Sequence, residues 1–124
     1  MLRWVAVVSG FYDVAAGSVL LLAPEPLAAI LGVKATGPAL LADIAGLFAV
    51  AVGIGYFVVL RDLERHRAYL WLMGPFLKGL GAAAFVQDYI LRRSAWTILL
   101  FAFCDAALAV VTLLALVRSP KPRP

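Results

Sequence analysis

The stretch that decides the fold is residues 68–91, AYLWLMGPFLKGLGAAAFVQDYIL. At about 1.5 Å per residue it is long enough to cross a hydrocarbon core of roughly 30 Å. Charge brackets it, with Arg65, His66 and Arg67 before and Arg92 and Arg93 after, yet Lys78 stands in its middle. Lys78, Gly81, Phe85 and Asp88 recur at helical spacing and share one face, so this helix turns a polar stripe toward its neighbours rather than toward lipid. Pro75, following Gly74, frees a backbone carbonyl near Trp71 and predicts a kink one turn before Lys78.

Three further apolar runs lie around it. Residues 4–23, stopped by Pro24, form the first; residues 39–60 the second; residues 95–117 the fourth, followed by the charged, proline-rich tail 118–124. The first run is longer than a signal-peptide core, carries Asp13 at its centre and lacks a clear small-residue cleavage site, so it is expected to remain as a helix. Between the first two runs, residues 24–38 are rich in turn formers at both ends. Pro26 is placed to start a short helix that Gly32 ends, with Leu27, Ile30 and Leu31 as its apolar, interfacial face. The turn RDLERHR at 61–67 is short enough to make the second and third spans antiparallel neighbours. The expected fold is all-α: one integral membrane domain, a four-transmembrane-helix bundle with a short interfacial segment between its first two helices.

Composition agrees. Of 124 residues, 65% are hydrophobic, and the mean hydropathy is +0.99, more apolar surface than a soluble domain of this size can hide. The net charge of +4 does not point to nucleic acid, because the basic residues sit in short loops and at span ends. Seven of them (Arg3, Arg61, Arg65, Arg67, Arg118, Lys121, Arg123) share one side, and three (Lys34, Arg92, Arg93) lie on the other. The positive-inside rule therefore predicts cytoplasmic termini, with Trp4, Tyr69 and Trp71 at the inner interface and Tyr89 and Trp96 at the outer one.

Every span contains an acid: Asp13, Asp43, Asp88 and Asp105. An Asp or Lys at a helix centre costs roughly 2.5 to 3.5 kcal/mol on insertion, so four acids and Lys78 facing lipid would cost more than about 10 kcal/mol. They are expected to face one another or a wet cavity. Helical spacing places Ala6, Gly10, Asp13 and Gly17 on one face, Asp43, Gly46, Val50 and Gly53 on another, and Ala102, Asp105 and Ala109 on a third, each lined with small residues that let backbones approach. Counting from the helix ends puts Asp13, Lys78 and Asp105 near mid-membrane and Asp43 and Asp88 near the outer face. One lysine balances one carboxylate. The remaining acids should be protonated, hydrogen-bonded to Tyr12, Tyr56 or Gln87, or paired with a cation or cationic ligand. Whether Asp13 or Asp105 pairs with Lys78 is open at this level.

No catalytic motif is present. His66, between two arginines, reads as a surface residue rather than a metal ligand, Gly53 and Gly55 as packing glycines, and Cys104 as a lone thiol without a partner in the chain. Two classes of function lead, ahead of an enzyme acting by proton transfer through Asp13 or Asp105, for which no nucleophile or cofactor motif is present. One is a polar intramembrane pocket that binds a proton, a cation or a small amphipathic ligand such as a quinone or lipid headgroup. The other is a structural subunit, homo-oligomeric or within a larger complex, whose buried charges fix packing; the glycine-rich faces suit this equally.

The motifs FYDVAAG (11–17), LADIAGLFAVAVGIGY (41–56), RDLERHR (61–67) and GPFLKGLGA (74–82) together resemble small bacterial membrane proteins of the DoxX-like type. That resemblance implies a four-helix unit with polar residues buried between its helices, and an accessory role in oxidoreductase systems acting on quinones or sulfur compounds. It carries over no catalytic residue and no cofactor.

Overall fold

A computed structural model describes residues 1–34 and 37–119. The remainder of the tail, with Lys121 and Arg123, lies outside the described residues. The chain forms α1 (Leu2–Leu22), α2 (Pro24–Leu31), α3 (Ala39–Val59), α4 (Arg67–Arg92) and α5 (Ile98–Arg118). Four of these, all but α2, are long and apolar enough to span a membrane. Their outer faces carry large apolar side chains such as Trp4, Leu22 and Phe103 in full exposure, a surface suited to lipid. The protein is an integral membrane protein with the all-α, four-span architecture expected.

α1 and α3 pack most intimately, and glycine is the reason. A Cβ on Gly17 would lie 2.6 Å from the Gly46 carbonyl oxygen, and one on Gly53 would lie 2.7 Å from the Val14 nitrogen. The pairs Gly10–Gly53 and Gly17–Gly46 thus form two rungs where antiparallel backbones touch, the membrane form of small-residue packing. α4 and α5 form the second antiparallel pair, with Gly74 pressed against Thr112. The two pairs meet at the end bearing the 61–66 turn, where Ala6, Val52, Tyr56, Val59, Leu70 and Leu116 make one buried cluster drawn from all four spans. Tyr69 fastens this end, donating its hydroxyl to the Val52 carbonyl at 2.6 Å and standing edge-on to Tyr56. Arg67 donates to the carbonyls of Leu116 and Ser119, satisfying orphan acceptors at the end of α5.

The disturbance expected at Pro75 takes the form of a π-helical stretch, Leu72–Lys78, inside α4. Proline has no N–H to donate, and the backbone absorbs the mismatch by widening a turn. The result is visible in burial: Leu70, Gly74, Lys78 and Ala82 are all buried at a strict spacing of four. In a regular α-helix each such step would swing about 40° around the axis. The widened turn removes much of that drift and keeps Lys78 facing the bundle interior.

Toward the opposite end each pair stays packed, and a cavity lies between the two pairs. α2 starts at Pro24, two residues earlier than Pro26, because a proline is as well accommodated at the first helical position there, and it ends at Gly32 in the left-handed conformation (φ 65°). Its inward residues are Leu27, Ala28 and Leu31, while Ile30, expected on the same face, points out. The Thr97 hydroxyl donates to the Leu31 carbonyl and ties α2 to the start of α5. α5 itself begins at Ile98, since Ala95 to Thr97 form turns before the helix proper.

Candidate functional site

Asp13 sits midway along α1, one turn after Ser9, on the face that Gly10 and Gly17 press toward α3. Lys78 ends the π-helical stretch of α4, and Asp105 projects from α5. The three meet. Lys78 Nζ donates to Asp13 Oδ1 at 2.6 Å and lies 3.9 Å from Asp105 Oδ1, with side-chain exposures of 5%, 11% and 14% in that order. The closer pairing with Asp13 resolves the ambiguity that spacing left. Tyr12 lies beside the group, its ring centroid 4.9 Å from Lys78 Nζ, in range of a cation–π attraction, and its hydroxyl next to Asp105. Gly81 makes room for Asp105: a Cβ there would stand 3.0 Å from Asp105 Oδ2.

This group forms the polar part of a cavity of about 510 Å³ between the two helix pairs. Its other walls are apolar, including Phe48 and Val52 of α3, Leu77 and Phe85 of α4 and Phe101 of α5, and α2 lies against it through Leu27, Ala28 and Leu31. A largely apolar chamber with a few convergent polar groups is the usual form of a small-molecule site.

Three buried polar atoms lack a hydrogen-bond partner among the described residues: Ser9 Oγ, Asp13 Oδ2 and Tyr56 Oη. Asp13 thus spends one oxygen on Lys78 and keeps the other unspent, although such groups are costly to bury unsatisfied.

The remaining sequence candidates lie elsewhere. Asp43, near the start of α3, is exposed; one turn later Gly46 already lies against Leu21, next to the last residue of α1. Asp88 accepts from Arg92 at 3.0 Å and from the Ser94 hydroxyl, a local arrangement at the end of α4. Gln87 is exposed in a separate groove on the outside of α4 and α5, shared with Val86, Ile90 and Phe103. Tyr56 is fully buried in the core cluster. Sequence reasoning missed Ser9 and the contribution of α2. Ser9 was legible as the polar residue one turn before Asp13; nothing in the sequence showed that α2 would fold back over the cavity. No protein-family model, curated protein or solved structure matches the chain.

Proposed function

We propose that this protein binds a small amphipathic molecule within the bilayer, with the polar part of the molecule at Asp13, Lys78 and Asp105 and its apolar part in the aromatic chamber beyond. The observation that carries this reading is the combination in one cavity of about 510 Å³ of apolar walls and a buried ion pair. An ion pair serving packing alone would be enclosed by tightly fitted side chains, and here it borders open volume. Quinone-like and lipid-like molecules both have the required division between polar head and apolar body. The bundle is closed at the 61–66 end and holds the cavity in the other half, so the ligand would enter from the membrane or from the side of α2. Concentration of basic residues at the closed end supports cytoplasmic termini and an outward-facing cavity.

A second reading, an accessory subunit of a membrane complex as the DoxX-like resemblance implies, is favoured by the groove outside α4 and α5, where Gln87 lies among apolar residues on a lipid-facing surface. Native mass spectrometry of the protein released from mild detergent separates the two. Binding predicts a retained small mass in one-to-one ratio that disappears when the chamber is filled by Ala49→Trp. A chain that carries no such mass and holds a protein partner through the Gln87 groove would favour the accessory role.

A further inference from the structure

Resting on the binding reading above, we propose that the ligand is a hydrophobic organic monocation, such as a tertiary or quaternary amine, and that it exchanges with a proton at this site. The cavity holds two carboxylates against one ammonium. Asp13 takes the short contact with Lys78, and Asp105 is left at 3.9 Å with no hydrogen bond from the lysine. Asp13 Oδ2, on a residue 8% exposed and lining the same cavity, has no partner among the described residues. Carboxylate acceptor capacity therefore exceeds what Lys78 supplies, and the excess is negative.

The walls fit the same chemistry. Tyr12, Phe48, Phe85 and Phe101 line the same cavity as the acids, and aromatic rings attract organic cations. An anionic head would meet two carboxylates and a neutral head would leave the excess charge to a proton, whereas a cation supplies the missing charge itself. With the cavity free of a cation, the neutralising charge is a proton on Asp105. Binding then proceeds as Asp105–COOH plus L⁺ giving Asp105–COO⁻·L⁺ plus H⁺, with no change in the total charge of the site. The groups facing Asp105 are Lys78 of α4, Tyr12, whose hydroxyl hydrogen-bonds to it, and Asp13 of α1 and, further off, Tyr56 of α3.

The test uses the full chain in detergent with tetraphenylphosphonium as the cationic probe and triphenylphosphine oxide as its uncharged counterpart. Wild-type protein should bind the cation more tightly as pH rises and release about one proton per cation into weakly buffered solution. Asp105→Asn should weaken cation binding by about thirtyfold or more and abolish proton release. Proton release is read on the unaltered chain, so it does not depend on whether the variant folds. Neutral and cationic probes binding equally, without proton release, would overturn the cation assignment and leave the binding site standing. Failure of both probes, together with no retained small molecule, would overturn the site itself.

Discussion

Asp13→Asn and Asp105→Asn should differ sharply in stability, although each replaces one mid-membrane carboxyl group. At an effective dielectric of about 20, the gross attraction to Lys78 is about 6 kcal/mol at the 2.6 Å separation of Asp13, whereas Asp105, 3.9 Å away and carrying the neutralising proton in the cation-free site, adds no ion-pair attraction. Asp13 adds the charge-assisted hydrogen bond, worth about 1.5 to 3 kcal/mol. Breaking a buried pair by deleting one partner typically costs about 3 to 5 kcal/mol, and that range applies to Asp13→Asn. Asp105→Asn should cost about 1 kcal/mol or less, because Lys78 keeps its short contact. At about 4 °C per kcal/mol for a chain of this size, the melting midpoint should fall by about 12 to 20 °C for Asp13→Asn and about 4 °C for Asp105→Asn. Circular dichroism at 222 nm during heating in detergent reads both. Equal losses, or the reverse order, would refute the assignment of Asp13 as the partner of Lys78.

Lys78→Glu places a third acid against two carboxylates and should abolish accumulation of folded protein, whereas Arg92→Glu, at a side chain 82% exposed, should cost about 0.5 kcal/mol; comparable yields would mean that Lys78 reaches water. Gly17→Ala drives a methyl into the Gly46 carbonyl and should lower stability by about 1 to 3 kcal/mol, while Gly79→Ala, with nothing within 4 Å, should be neutral or slightly stabilising; equal midpoints would deny the close α1–α3 approach. In a Cys104→Ala background, a membrane-impermeant thiol reagent applied from outside should modify Lys34→Cys and spare Arg65→Cys, and the opposite pattern would invert the proposed orientation.

The sequence made the bundle legible because lipid imposes long apolar runs and because glycine and alanine at helical spacing mark where backbones meet. Ala6, Gly10, Asp13 and Gly17 all lie on the buried face of α1, and Ala102 and Ala109 on that of α5, as periodicity indicates. The meeting of Asp13, Lys78 and Asp105 followed from depth alone. Periodicity failed for Asp43, since a shared face with Gly46 and Gly53 does not say how far along a helix the packing extends: Gly46 meets Leu21, next to the last residue of α1, and Asp43 one turn further out is exposed. Asp88 was absorbed locally, one turn from Arg92 and across a turn from Ser94, an outcome that charge counting over the whole membrane overlooks. The π-helical stretch was visible only as a proline in a helix. Whether such a helix kinks or widens depends on its neighbours, and Thr112 against Gly74 holds α4 close to α5 at that point.

Binding within the membrane is tested most directly by an experimental map of the protein in a lipid nanodisc, read at the cavity beside Lys78. Non-protein density should extend from Asp13 and Asp105 past Phe85 toward α2, with the size of a single small molecule. A chamber closed by inward movement of α2 and Phe101, leaving Lys78 enclosed by its two acids alone, would contradict it and leave the buried charges to packing.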